Sequence, residues 1–266
     1  MPTTKAITDV ELYHEVSGRG PVLLLIPGTP GDSGQFVSLT AALRDNFTVI
    51  TYDRRGTSRS PRPDGWTTTS VAEQADDAAA LLSQVTSEPA LVYGTSNGAL
   101  VALELAIRHP QHVKAALIHE APLMSVLADP APVGQMLGEL IGGAMERGGP
   151  TAALDAFLRF AFGDDVVDSM PAEARDRIYS NAEMVFSIEM PGFQTYRPDE
   201  DALRALNVPV RVLVGADQPV PFFTEAAAWI AAHTNTAVVA SPGAHAAHLS
   251  HPRELAGFIA DANPAT

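Results

Sequence analysis

The chain has no cysteine. That excludes disulfides, thiolate nucleophiles and cysteine-held metal together. Basic residues are scarce: 17 Lys and Arg stand against 31 Asp and Glu, a formal net charge of −14. A surface of that sign repels nucleic-acid phosphates and anionic lipid, so neither is an expected partner. Long apolar runs are missing too; no stretch approaches the ~20 residues of a membrane span. Met1 to Glu11 is polar and carries no secretory pattern, so a cytoplasmic location is the expectation. Apolar side chains are abundant, at 46% of 266 residues against 18% charged. That supplies a large core for one α/β unit with an insertion.

Short apolar runs alternate with helical patterns. Val22–Ile26, Phe47–Tyr52, Ala90–Tyr93, Ala115–Ile118, Val208–Val214 and Ala237–Ala240 read as buried strands. The first three end at Pro27-Gly28, Asp53 and Gly94. Between the strands lie helical stretches: Phe36–Arg44, Val71–Val85, Asn97–Arg108, Phe222–Ala232 and Arg253–Ala262. This alternation predicts a mostly parallel sheet flanked by helices. An early pair near Ala6–Thr8 and Glu11–Val16 predicts an antiparallel edge hairpin. The rhythm breaks after Pro122. From 123 to 201 the patterns are helical, in pieces Val133–Arg147, Thr151–Phe162 and Ala172–Phe186. The expected organisation is a core of residues 1–122 and 202–266 with a helical cap at 123–201.

Gly94-Thr95-Ser96-Asn97-Gly98 fits the pattern Gly-x-Ser-x-Gly. An apolar strand precedes it and a helix follows at once. A strand-to-helix turn this tight exposes the serine at a helix N-terminus, where amides favour negative charge. Ser96 is therefore the expected nucleophile. A serine hydroxyl needs a base. Among eight histidines, His245 sits where the base belongs, on the loop after the last strand; His248 and His251 are its nearest competitors. Two acids follow strand ends and both stay open on the residues alone: Asp217 after Val212–Ala216, and Glu120 after Ala115–His119. An oxyanion site needs amides, expected from Asn97 and from Thr29, with Gly28 as the alternative because Pro30 has no amide proton. Each such donor is worth about 2.7–4 kcal/mol of barrier.

Over nearly its whole length the chain resembles the α/β-hydrolase superfamily of serine hydrolases. Within it, the chain resembles the zearalenone hydrolases, lactonases that open the ring of a resorcylic macrolactone. Tyr93 to Ala99, His119-Glu120-Ala121-Pro122, Val214-Gly215-Ala216, Phe222-Phe223, Pro242-Gly243-Ala244-His245 and Ser250-His251-Pro252 carry that resemblance. It implies the α/β-hydrolase fold and a nucleophile, acid and base at Ser96, Glu120 and His245, so it favours Glu120 over Asp217. Those lactonases also carry a tryptophan in the cap that contacts substrate, whereas Trp66 and Trp229 both lie outside the cap here.

All methionines but the first fall between Met124 and Met190, with Phe157, Phe160, Phe162 and Phe186 in the same stretch and Phe193 just beyond it. A cap of this composition over the serine predicts a bulky, largely apolar substrate, contacted by Met124, Met184, Phe186 and Phe222. Arg54, Arg55 and Arg59 follow a strand end and read as a solvated loop with salt bridges. The expected function is hydrolysis of a carboxylic ester or lactone through an acyl-enzyme, with no cofactor and no metal. The partner is a small-molecule substrate, and the chain is a monomer or homodimer. The rivals are a carbon–carbon bond hydrolase or proline iminopeptidase-like reaction on the same residues, and a non-hydrolytic ligand receptor. A substrate panel separates the first; labelling of Ser96 without turnover would favour the last.

Overall fold

The computed structural model describes residues 3–5 and 10–263. Eight strands form one sheet in the order β1-β2-β4-β3-β5-β6-β7-β8. They are β1 (Thr3–Lys5), β2 (Glu11–Gly18), β3 (Val22–Ile26), β4 (Thr48–Tyr52), β5 (Ala90–Thr95), β6 (Val113–His119), β7 (Val210–Gly215) and β8 (Val238–Ser241). β2 runs antiparallel to β1 and β4; every pairing from β4 to β8 is parallel. The antiparallel edge is where the alternating pattern of Glu11–Val16 predicts it. The Ala6–Thr8 part of that hairpin lies outside the described residues.

The parallel strands are apolar on both faces because helices cover both. On one face α2 (Val71–Val85) and α3 (Asn97–Arg108) pack with α10 (Pro221–His233) against Leu24, Ile50, Val92 and Ile118. On the other, α1 (Val37–Leu43), α11 (Ala247–Ser250) and α12 (Pro252–Ala262) cover Leu23, Leu25, Val49 and Leu91. Neighbouring residues of one strand thus feed opposite cores, as the two-residue repeat of a strand requires.

Between β6 and β7 the chain is helical: α4 (Ala131–Phe162), α5 (Asp164–Asp168), α6 (Ala172–Tyr179), α7 (Ala182–Met184), a π-helical turn at Val185–Glu189, α8 (Met190–Gln194) and α9 (Glu200–Arg204). Gly148 and Gly149 depart from helical angles inside α4, so the expected break at Gly148-Gly149-Pro150 appears as a kink. The single helix expected over Ala172–Phe186 is interrupted. Ser180 and Asn181 form a turn there, and the Asn181 side chain accepts the Ser58 amide at 2.7 Å and donates to Ser58 Oγ at 2.9 Å. The insertion has a small core of its own, built on Leu154, Leu158, Val167, Ile178, Val185 and Ile188. Among the described residues no helix is long and apolar enough to cross a membrane.

Candidate active site

β5 and β6 end side by side at the carboxyl edge of the sheet, with Thr95 opposite His119. The next residue of each strand is a non-glycine in the left-handed region: Ser96 at φ 54° and Glu120 at φ 49°. Such conformations cost on the order of 1–3 kcal/mol each and persist where their surroundings enforce them. The enforcement is visible. The Ser96 amide donates to the His119 carbonyl at 3.0 Å, and the Glu120 amide to the Leu213 carbonyl at 3.0 Å. Gly94 and Gly98 allow the turn to close. A Cβ on Gly94 would lie 2.2 Å from the Gly98 carbonyl, and one on Gly98 would lie 2.2 Å from the Ile26 carbonyl. Asn97 opens α3, so its amide has no intrahelical acceptor.

Glu120 is fully buried, and its carboxylate is held from several sides. Oε1 accepts the Gly215 amide at 2.8 Å. Oε2 lies 2.7 Å from His245 Nδ1 and also accepts from Gln218 Nε2. Burial alone would push this carboxyl up. The His245 hydrogen bond, the nearby imidazoles and the Gly215 amide outweigh burial and hold it below its usual range. Gly215 must be glycine here, because a Cβ would meet the Gly243 carbonyl at 2.4 Å. His245 stacks on Phe223, ring centres 4.6 Å apart, which fixes its plane. The carboxylate at His245 Nδ1 is therefore that of Glu120. Asp217 is exposed, and its amide donates to the Gly243 carbonyl at 2.9 Å.

Two further histidines lie beneath His245. His119 Nδ1 is 2.9 Å from Thr95 Oγ1, and burial lowers its pKa to about 4. His248 is buried against the edges of Phe36 and Phe162, and burial drives it well below the ordinary histidine range. His251 packs under Gly243 with its Nδ1 2.8 Å from Ser250 Oγ.

Ser96 and His245 open into one cavity of about 870 Å³. Its floor includes Asn97, Gln218 and Ala244, and its roof is the helical insertion. All five phenylalanines singled out in the insertion line it, joined by Phe222 and Phe223. Of the four expected contacts, Met124, Phe186 and Phe222 are on the wall. Met184 is not: it is buried in the insertion's own core beside Leu154 and Val185, because its turn faces inward. Gly134, Gly138 and Gly142 recur every fourth residue along α4 and present bare backbone to the cavity. Among the lining residues there is no Asp, Glu, Lys or Arg.

Thr29, Gly28 and Asn97 converge beside Ser96. A Cβ on Gly28 would stand 2.8 Å from Ser96 Cβ, so the β3 loop approaches the serine as closely as glycine allows. The sequence reading missed what holds these residues. Glu189, fully buried, comes down from the π-helical turn and accepts from Thr29 Oγ1 at 2.6 Å and Asn97 Nδ2 at 3.1 Å. Its counter-ion is Arg54, at 2.9 Å. The arginines after β4 form salt bridges, as expected, and Arg59 is exposed, but Arg54 and Arg55 are not solvated. Arg54 is fully buried; Arg55 is buried and makes a two-pronged bond with Asp77; Arg59 pairs with Asp53 at 2.6 Å. A buried guanidinium must be paired, which the loop position alone did not reveal.

The model of the alpha/beta hydrolase family matches residues 23–258. An uncharacterized hydrolase, YraK, of Bacillus subtilis (strain 168) is 28% identical over 97% of this chain and 94% of its own. A zearalenone hydrolase of Bionectria ochroleuca is 25% identical, over 94% of this chain and 92% of its own. The crystal structure of the enol-lactonase from Burkholderia xenovorans LB400 superposes with a TM-score of 0.78 at 19% identity, covering 98% of both chains.

Proposed function

The chain belongs to the alpha/beta hydrolase family and is a hydrolytic enzyme, and we propose that it is a serine hydrolase acting on a carboxylic ester or lactone of a bulky, uncharged, largely apolar molecule. One observation carries this reading: a strained serine and a carboxylate-backed imidazole open into the same cavity, whose other lining is aromatic, aliphatic or neutral. In the proposed reaction His245 takes the Ser96 proton as Oγ attacks the carbonyl. Glu120 keeps Nδ1 protonated and stabilises the imidazolium. The Asn97 and Thr29 amides receive the oxyanion. Collapse gives an acyl-enzyme as His245 returns the proton to the leaving alcohol, and water activated by His245 then releases the acid.

The cavity argues for the substrate class. Burying an unpaired charge against phenylalanine is costly, so a charged acyl or alcohol part is disfavoured. Some 870 Å³ is room for a drug-sized molecule, a macrolactone included. A zearalenone hydrolase among the relatives and an enol-lactonase among the structures favour including lactones with open-chain esters. Residues 123–201 serve as the cap that closes this chamber.

The test is a panel of neutral p-nitrophenyl esters, zearalenone and an ester bearing a free carboxylate on its acyl chain. The reading predicts turnover of neutral members and at least about tenfold lower kcat/KM for the charged ester. No turnover of any ester or lactone, or preference for the charged one, would overturn it.

A further inference from the structure

Buried ion pairs are weak evidence for stability, since desolvation can cancel their attraction; a buried pair invites a search for another reason to keep it. The pair Arg54–Glu189 lies 135 residues apart in sequence and is shielded from solvent on both sides. Glu189 Oε1 accepts from Arg54 Nη2 at 2.9 Å, Thr29 Oγ1 at 2.6 Å and Asn97 Nδ2 at 3.1 Å. Oε2 accepts from Arg54 Nη2 at 2.9 Å. Asn97 Nδ2 also donates to Thr29 Oγ1 at 2.8 Å, closing a ring of three side chains. Arg54 is anchored in turn by Gln74 Oε1, 2.6 Å from Nη1.

Two of these side chains belong to the residues whose backbone amides face the oxyanion in the proposed reaction. We infer that Glu189 is a positioning residue for the oxyanion site, holding the Thr29 and Asn97 amides in place from the cap, with Arg54 cancelling its charge. This rests on the hydrolase reading above. Thr29 sits on a loop after β3 and Asn97 on the first turn of α3, and the Glu189 ring ties the two together across the serine. An uncompensated carboxylate there would oppose the developing oxyanion, which is why the guanidinium is needed as well as the glutamate. Glu189 ends the π-helical turn of the cap, a departure from regular helix often found at functional sites. A roof that shifts would carry Glu189 with it and loosen both donors.

The test compares Glu189→Gln, Thr29→Val and the apolar pair Arg54→Met with Glu189→Leu, using p-nitrophenyl butyrate as substrate and phenylboronic acid as a tetrahedral mimic. Glu189→Gln should lower kcat about 10- to 100-fold, less than the 10²–10³ of deleting a donor outright, with KM within about threefold. Boronate affinity should fall by a similar factor. Thr29→Val, which keeps the ion pair, should lower kcat about tenfold. The apolar pair should recover folding stability in urea without recovering kcat; it also carries the test if Glu189→Gln does not fold. An apolar pair restoring kcat to within about threefold of wild type would overturn the positioning role. So would a Glu189→Gln effect confined to KM. Those results leave the hydrolase reading standing whenever the wild type hydrolyses the ester. A wild type that neither hydrolyses it nor binds the boronate fails that reading instead, and this inference falls with it.

Discussion

The carboxyl edge of the sheet and the helical insertion above it hold their residues by different means. At the edge, backbone geometry decides. Ser96 and Glu120 are locked in left-handed conformations by amide hydrogen bonds to neighbouring strands, and Gly94, Gly98 and Gly215 lie where a Cβ would strike a carbonyl. In the insertion, side-chain packing decides. Leu154, Leu158 and Ile188 form a small core, while the cavity side of α4 carries glycines at 134, 138 and 142 with nothing within 4 Å of an added Cβ. Glycine in a helix interior costs roughly 0.5–1 kcal/mol relative to alanine, so three of them exchange helix stability for space. In the proposed reaction the edge tolerates little change, because the reacting groups sit there. Away from Glu189 the roof can be redrawn, because its glycine-lined face sets which molecules reach the edge.

That contrast can be broken from either side. Ser96→Ala should lower kcat by about 10⁴-fold or more while circular dichroism and the urea midpoint stay near wild type. A modest effect would detach the chemistry from the elbow. Glu120→Gln should lower kcat by about 10³-fold, since an amide at His245 Nδ1 favours the wrong tautomer, while Asp217→Asn stays within about twofold. The reverse ranking would move the acid to β7. On the roof, Gly138→Leu should leave small acetate esters within about twofold of wild type and cut kcat/KM for bulky esters about tenfold, with thermal stability unchanged or higher. Equal losses on both substrates would mean the α4 face of the roof takes part in the chemistry.

The smallest effect concerns pH. His119 has a folded pKa of about 4, depressed by burial, against 6.5 for the free side chain. Below pH 6.5 the unfolded chain takes up this proton and the folded protein does not, so stability falls with falling pH until about pH 4. The loss over that window is about 3 kcal/mol, with His248 acting in the same direction. Urea midpoints from pH 7 to 5 should fall less steeply in His119→Asn than in wild type. Identical slopes would show that this imidazole protonates freely in the folded state.

The same contrast explains what could be read in the sequence. Strands and elbow were legible because each apolar run meets a glycine, proline or charged residue within two positions of its end, and periodicity marks the helices between. His245 was legible by its place after the last strand. Glu120 and Asp217 were not separable on residues alone; three-dimensional reach separates them, because Gly215 and Gln218 bring their donors to Glu120. Arg54–Glu189 was illegible: no spacing links a loop after β4 to an acid among Val185, Phe186, Ile188 and Met190. A charged residue inside such an apolar run was the one available signal. Met184 was misplaced because composition shows that the insertion is rich in methionine but not which face each one occupies. The helix expected through Phe186 is interrupted by a turn at Ser180 and Asn181, where Asn181 bonds Ser58, a partner that local periodicity does not reveal.

Every step of the proposed reaction passes through Ser96 at the end of β5. The most direct measurement is the mass of the intact protein after reaction with a fluorophosphonate, followed by identification of the modified peptide. The prediction is a single adduct on Ser96, lost in Ser96→Ala and strongly slowed in Glu120→Gln. An unmodified protein, or an adduct on another residue, would contradict it.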